Sequence, residues 1–131
     1  MNKKVIWVVD DDEIYQIIIK KIIKKTARYS DISTFLNGNE ALIALKKAVE
    51  QGEIIPDVIL LDINMPIMDG WEFMNEIISM KSKINKQIAI YIASSSIAVE
   101  DKDKAKTYED ILGYLAKPVT LDDLLTIASL N

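Results

Sequence analysis

The hydrophobic and polar positions of the chain follow two patterns that alternate along its length. Short uninterrupted apolar runs, beginning with residues 5–9, are typical of strands buried on both faces of a sheet. Longer stretches in which apolar residues recur every three or four positions indicate amphipathic helices. The patterns predict strands at residues 5–9, 31–35, 57–62, 88–93 and 111–116. They predict helices at residues 13–25, 40–50, 71–80, 99–107 and 121–130.

The predicted strands and helices alternate five times, and no linker or low-complexity tract interrupts them. This alternation predicts an α/β fold in which a parallel sheet carries helices on both faces. Residues with capping chemistry support the helix boundaries, since Asp12 and Thr120 precede two of the helices and Gly52 follows another. In such folds, ligands bind beyond the carboxyl ends of the strands, where the strand order reverses.

The first predicted helix has one apolar and one basic side. Its spacing predicts that the buried face consists of Ile14, Ile17, Ile18 and Ile22. The solvated face then carries Lys20, Lys21, Lys24 and Lys25. Lysines in the last turn also suit the negative end of the helix dipole. We therefore expect these four isoleucines to pack against the sheet.

Composition narrows the chemistry that this fold could carry. The chain has 131 residues, which fits one domain, and a net charge of −4. Because an acidic chain without a basic arm repels a phosphate backbone, we expect no nucleic-acid binding. The absence of cysteine and histidine excludes disulfides, thiolate nucleophiles, metal sites built on those residues and imidazole acid–base catalysis. Carboxylates, hydroxyls, lysines and backbone groups remain.

The sequence also predicts that the protein does not enter a membrane. No apolar run approaches the ~20 residues that a membrane-spanning helix requires. The apolar run at residues 5–9 is too short for a signal peptide and ends at three aspartates. We therefore expect a cytoplasmic protein.

Polar side chains that suit a metal or phosphate site follow four of the predicted strands. Asp10 and Asp11 follow the first strand, and Asp62 ends the third. Ser94 and Lys117 follow the fourth and the fifth. Such a residue is by itself usually a helix cap or a solvated turn, but the carboxyl ends of parallel strands share one edge of the sheet. Three carboxylates gathered there repel one another unless a cation joins them, and oxygen-only ligands suit Mg²⁺ or Mn²⁺.

The segments that contain these residues resemble a known family, the receiver domains of two-component response regulators, in particular single-domain members typified by chemotaxis regulators. The resemblance covers essentially the whole chain. Four segments show it: VVDDD (residues 8–12), LDINMPIMDG (61–70), IASSS (92–96) and GYLAKP (113–118). It implies a flavodoxin-like, doubly wound (βα)5 fold with strand order 2-1-3-4-5. It also implies that residues 1–131 form a single receiver domain without an output domain.

The resemblance implies that the function of this domain is phosphotransfer in two-component signal transduction. Asp62 would accept the phosphoryl group from a phosphohistidine on a sensor histidine kinase or a histidine phosphotransfer protein. A carboxylate suits this role because it is ionised at neutral pH and needs no general base. Such a protein is not a conventional enzyme, although it catalyses its own aspartyl phosphorylation and dephosphorylation.

The resemblance also implies a metal cofactor and a cationic partner for the phosphoryl group. Asp10, Asp11 and Asp62 would bind Mg²⁺ together with the backbone carbonyl of Asn64. The metal would neutralise charge on the transferring oxygens. Lys117 would reach the same oxygens as a point charge, and the peptide bond that follows it would be cis.

A switch is the third implication of the resemblance. The hydroxyl of Ser94 would donate to a phosphoryl oxygen and draw the following loop inward, although Ser95 is an alternative because three serines stand in a row. Tyr114 would then move from an exposed to a buried position. The altered surface would bind a downstream protein, or the phosphoryl group would pass onward in a relay.

Two other interpretations of the same residues stay open. The first is a pseudo-receiver that binds partners without phosphorylation, although such proteins normally lack one of the site residues, all of which are present here. The second is a Mg²⁺-dependent phosphohydrolase that forms an aspartyl phosphate on small substrates. Such enzymes usually carry a second acid two positions after the nucleophile, where this chain has Asn64, and they have a cap segment to enclose a substrate.

Overall fold

The computed structural model describes residues 3–130 and contains every predicted element in the predicted order. The strands are β1 (Lys4–Val9), β2 (Tyr29–Phe35), β3 (Val58–Leu61), β4 (Ala89–Ser94) and β5 (Ile111–Ala116). The helices are α1 (Glu13–Thr26), α2 (Gly38–Gln51), α3 (Gly70–Ser79), α4 (Val99–Lys106) and α5 (Leu121–Leu130). A short 3-10 helix, Lys81–Lys83, follows α3.

The strands form one parallel sheet in the order β2-β1-β3-β4-β5, which confirms the doubly wound, flavodoxin-like fold. From β1 the chain passes outward to β2 and then returns to place β3 on the other side of β1. The strand order therefore reverses between β1 and β3. The carboxyl ends of these two strands flank the switch point at which doubly wound folds bind their ligands.

Helices cover both faces of the sheet, as the alternation of elements predicts. α2, α3 and α4 pack on one face through side chains such as Leu45, Phe73 and Ala105. α1 and α5 pack on the other face through side chains such as Ile19 and Leu124. Successive side chains of β1 and β3 enter the two cores in turn, which explains why these strands are continuous apolar runs.

The helix ends follow the capping chemistry of the sequence. Asp12 caps α1 and Thr120 caps α5, each by accepting a backbone N–H bond on its side chain. Gly52 ends α2 in the left-handed conformation, with φ of 67°, that glycine adopts without a steric penalty. α2 begins at Gly38, two residues before its predicted start, because the side chain of Asn37 caps it.

The predicted buried face of α1 is wrong. Ile14, Ile17 and Ile18 are 71%, 59% and 51% exposed, and Ile22 is only half-buried. The buried residues are instead Gln16, Ile19, Ile23 and Thr26. Six isoleucines in one helix occupy more than one face, so their spacing does not select the face that meets the sheet. Ile14, Ile17 and Ile18 instead form an exposed apolar strip, which we call the α1 isoleucine strip.

α4 has little apolar anchorage, and aromatic contacts attach its end to α3. Ala105 is its one buried residue. Tyr108, two residues beyond the helix, stacks on Trp71 of α3 with ring centroids 5.7 Å apart and donates its hydroxyl to Oδ1 of Asn75 at 3.0 Å. Nζ of Lys104 lies 5.0 Å from the centroid of the Trp71 ring. These contacts position the polar α4 where its own packing is sparse.

Candidate functional site

The sheet itself places three of the predicted site residues. Asp10, Asp62 and Lys117 are each the first residue beyond a strand, and the backbone amide of each still donates to the neighbouring strand. The acceptors are the carbonyls of Phe35 (2.9 Å), Val9 (2.9 Å) and Ser94 (3.0 Å), respectively. The register of the sheet therefore fixes where these side chains start. The peptide bond between Lys117 and Pro118 is cis, as expected.

Lys117 joins the two buried aspartates of the site. Its Nζ lies 2.6 Å from Oδ2 of Asp10 and 3.6 Å from Oδ2 of Asp62. The other oxygens are held by backbone amides: Oδ1 of Asp10 accepts from Asp12, and Oδ1 of Asp62 accepts from Ile63, both at 2.9 Å. Each carboxylate is therefore fixed in orientation and turns one oxygen toward the same ammonium group.

Asp11 completes an acidic cluster with Asp10 and Asp62. One carboxylate oxygen from each residue lies within 4.8 Å of the others, and Asp11 is the exposed member. Oxygens around an octahedral Mg²⁺ lie about 3–4 Å apart, so modest side-chain adjustment brings the three into the geometry of a shared ion. The donor set therefore fits Mg²⁺. Asn64 is exposed two residues beyond Asp62, and its part in metal binding stays a prediction.

The surroundings of Asp62 disfavour its charge in the absence of a metal. Burial, and after it the carboxylate of Asp10, raises the pKa of Asp62 to about 6 from an ordinary value of 3.8. The ammonium of Lys117 and the amide of Ile63 oppose this rise without cancelling it. The folded protein therefore keeps the Asp62 proton to a higher pH than the unfolded chain does.

We expect Asp62→Asn to stabilise the metal-free protein by about 2–3 kcal/mol at a pH of about 8. The wild type loses stability as the pH rises between about 4 and 6, because within this window the folded carboxyl holds a proton that the unfolded one has released. Near the lower end of the window the variant loses its advantage. Urea unfolding at both pH values, without divalent cations, measures the difference. The exposed Asp11 provides the control Asp11→Asn, which should change stability much less. An equal gain for Asp62→Asn at both pH values would contradict the raised pKa of Asp62.

Ser94 and Tyr114 both contact the segment that leads from β4 to α4. Ser94 is the last residue of β4 rather than the first residue beyond it, and its buried Oγ accepts from the amide of Ser96 at 3.1 Å. Ser95 is exposed, so the buried hydroxyl at this strand end belongs to Ser94. Tyr114 is half-buried on β5 and donates its hydroxyl to the carbonyl of Ser96 at 3.0 Å. The predicted movement of Tyr114 would therefore start from a half-buried position.

Two residues of α1 support the site and were missed at the level of sequence. Nε2 of Gln16 donates to the carbonyls of Asp10 and Phe35, both at 2.8 Å, and so joins the ends of β1 and β2. The ring of Tyr15 lies against Lys117, whose Nζ is 4.5 Å from the ring centroid. Gln16 lies three positions before Ile19, so the two residues share one face of α1. The spacing pattern wrongly predicts another face as the buried one, so it does not reveal Gln16.

The start of α3 packs directly against the backbone of Asp62. The amide of Gly70 donates to the carbonyl of Ile63 at 2.8 Å, and a Cβ atom at Gly70 would collide with the carbonyl oxygen of Asp62. Asp69 and Glu72 fix this end of the helix by a reciprocal capping box. The position therefore requires glycine for its small size, and the close approach brings the start of α3 against the backbone of Asp62 and Ile63.

A doubly wound sheet that gathers three aspartates and a lysine at its switch point defines a class of protein, the receiver-type signalling domain. The chain belongs to the response regulator receiver domain family, whose profile matches residues 6–129. Receiver domains of two-component systems are phosphoacceptors and are generally not conventional enzymes. Within residues 3–130, no helix is long and apolar enough to cross a membrane.

Individual relatives agree with this membership. A two-component response regulator from Cytophaga hutchinsonii superposes with a TM-score of 0.87 at 27% identity, covering 99% of this chain and 100% of that one. The phosphorylated cyanobacterial phytochrome response regulator RcpA superposes with a TM-score of 0.76 at 28% identity, covering 97% and 89%. The DNA-binding transcriptional regulator NtrC of Salmonella typhimurium is 29% identical over 127 residues, or 97% of this chain. The chain spans only 24% of the length of NtrC, so DNA binding is a property of that regulator.

Proposed function

We propose that Asp62 accepts a phosphoryl group, in a reaction that depends on Mg²⁺, from the phosphohistidine of a sensor histidine kinase or a histidine phosphotransfer protein. The observation that carries the proposal is the convergence of Asp10, Asp11 and Asp62 with the ammonium of Lys117 at the switch point of the sheet. We place this reaction in the cytoplasm and expect the output to be a contact with another protein rather than with nucleic acid.

The positions of the side chains support the following chemistry. A carboxylate oxygen of Asp62 attacks phosphorus, the bond between phosphorus and the donor nitrogen breaks, and that nitrogen keeps the electron pair and takes up a proton. The amide of Ile63 orients the attacking carboxylate. Mg²⁺ bound by the three aspartates would neutralise charge on the transferring oxygens. Lys117, whose ammonium lies near both Asp10 and Asp62, would meet the phosphoryl oxygens as they arrive.

Ser94 and Tyr114 are the proposed switch. The hydroxyl of Ser94 is buried at the end of β4, next to the strand that leads to Asp62, and it can turn from the amide of Ser96 to a phosphoryl oxygen. Such a turn would release the loop that Tyr114 also holds through the carbonyl of Ser96. Because Ala105 is the one buried residue of α4, we expect a change in this loop to shift the start of the helix, while the contacts with Trp71 hold its other end. The changed surface would bind a downstream protein, or the phosphoryl group would be passed on in a relay.

The α1 isoleucine strip supports the proposed phosphodonor. A kinase or phosphotransfer helix bundle that delivers a phosphoryl group to Asp62 would dock beside the acidic cluster, and exposed apolar side chains suit such a contact. Ile14, Ile17 and Ile18 begin three residues after Asp11, on the helix that starts at the acidic cluster. Other isoleucines of the domain, such as Ile43 and Ile97, are exposed as well. The three of the strip are distinguished by lying together beside the acidic cluster, where they offer the apolar surface that a docking partner would cover.

Intact-protein mass spectrometry after incubation with acetyl phosphate or phosphoramidate tests the proposed function. We expect the wild type to gain one phosphoryl group only when Mg²⁺ is present, and Asp62→Asn to gain none. Asp12→Asn is the matched control, because it removes the neighbouring carboxylate while asparagine still caps α1. This control should be phosphorylated like the wild type.

The other outcomes of this experiment separate the competing functions. No mass gain with any divalent cation would contradict the proposal and favour a pseudo-receiver. Sustained phosphate release without a detectable phosphorylated form would favour a phosphohydrolase. A gain that persists in Asp62→Asn would place the nucleophile at another residue.

A further inference from the structure

Tyr15 stands out because it contacts the site without an established part in it. It lies in the first turn of α1, where its ring faces Lys117 with Nζ 4.5 Å from the ring centroid. Its hydroxyl is buried without a hydrogen-bond partner, although the amide of Val119 lies nearby outside bonding geometry. Among the described residues it is the one buried side-chain polar atom left unpaired. The ring therefore is the part of Tyr15 that makes a specific contact.

The position of Lys117 explains why such a contact has an effect. Lysine is a point charge on a flexible four-carbon stem, so its ammonium needs contacts on several sides to stay in one place. Asp10 and Asp62 attract Nζ through their carboxylates, and the face of an aromatic ring attracts a cation from another direction. The side chain of Lys117 is 17% exposed, which limits the water that could replace the ring.

We propose that Tyr15 is a positioning residue that keeps the ammonium of Lys117 in the acidic cluster through the face of its ring. This role rests on the proposed phosphotransfer at Asp62, for which Lys117 must be in place before the phosphoryl group arrives. The ring performs the role and the hydroxyl does not take part. A phenylalanine at this position should therefore serve equally well, whereas an aliphatic side chain of similar size should not.

The geometry is tested first by NMR, without any phosphoryl donor. The ε-methylene protons of Lys117 should be shifted upfield by the ring current of Tyr15 in the wild type. The shift should persist in Tyr15→Phe and disappear in Tyr15→Leu. Ordinary ε-methylene shifts in the wild type would overturn the proposed contact whatever the variants do. This readout also does not require the leucine variant to fold, because the wild type alone can refute the proposal.

Phosphorylation kinetics with acetyl phosphate and saturating Mg²⁺ then test the role. Loss of a partly desolvated cation–π contact predicts that Tyr15→Leu lowers the rate constant about tenfold, while Tyr15→Phe stays within about twofold of the wild type. In a protein that already carries Lys117→Met, Tyr15→Leu should change the rate by less than about twofold. The ring acts through the ammonium of Lys117, which methionine lacks. A purely structural role would instead add its effect in both backgrounds.

The outcomes distinguish this role from the proposed function. Equal rates for Tyr15→Leu and Tyr15→Phe in a phosphorylatable protein would overturn the positioning role alone. Additive effects of Tyr15→Leu and Lys117→Met would do the same. A wild type that accepts no phosphoryl group would overturn the proposed function, and the positioning role with it, even where the NMR contact is present.

Discussion

Lys117→Met is expected to slow phosphorylation of Asp62 by acetyl phosphate about 100-fold at saturating Mg²⁺. Methionine keeps the length and apolar character of the side chain but removes the ammonium, which lies 3.6 Å from Oδ2 of Asp62. Charge that develops on the phosphoryl oxygens then loses a fixed positive partner inside a largely buried site. Single-turnover kinetics followed by intact mass measure the effect.

The same substitution should strengthen Mg²⁺ binding. In the metal-free protein the ammonium of Lys117 neutralises Asp10 and Asp62, and its removal leaves three carboxylates without a cation. Lys86→Met is the matched control, since Lys86 forms an ion pair with Asp57 at 3.0 Å at the opposite edge of the sheet. It should leave both the rate and the Mg²⁺ affinity unchanged. Wild-type rates in Lys117→Met would contradict the role given to the ammonium.

Gly70→Ala is expected to lower the free energy of unfolding by about 2–3 kcal/mol. The added Cβ would collide with the carbonyl oxygen of Asp62 and press on the Cα of Ile63, and both contacts are backbone atoms that cannot rotate away. The start of α3 must therefore move, and the backbone of Asp62 must move with it. Urea unfolding measures the stability, and phosphorylation should slow in the fraction that remains folded.

Gly52→Ala separates this steric effect from the general cost of replacing a glycine. A Cβ at Gly52 meets no atom within 4 Å, but the backbone there has a φ of 67°. The expected cost is about 1 kcal/mol, from the left-handed conformation alone. A loss at Gly70 no larger than the loss at Gly52 would show that α3 does not hold the nucleophile as described.

The fold was predictable because the hydrophobic pattern of each segment agrees with the topology of the whole sheet. Five apolar runs separated by helical patterns leave few arrangements other than a doubly wound parallel sheet, and the strand order followed from the resemblance of four segments. The acidic cluster was predictable for the same reason. Asp10, Asp62 and Lys117 directly follow strands. The sheet therefore brings their backbones together, whatever conformations their side chains adopt.

The packing of α1 was not predictable from its spacing. Ile14, Ile17 and Ile18 form as good an apolar face as Ile19 and Ile23, and the choice between them depends on how the helix lies on the sheet. The contacts of Tyr15 and Gln16 with the site were not predictable for the same reason. Both act through contacts with residues that are distant in sequence, a lysine beyond β5 and a carbonyl at the end of β2, which no local pattern records.

Locating the phosphoryl group within the chain is the most direct test of phosphotransfer to Asp62. Borohydride reduction converts an aspartyl phosphate to an alcohol, so peptide mass spectrometry of the phosphorylated, reduced protein identifies the modified residue. We expect reduction at Asp62 alone, and only after incubation with both a phosphoryl donor and Mg²⁺. Reduction at Asp10 or Asp11, or a phosphorylated protein in which Asp62 is not reduced, would contradict it.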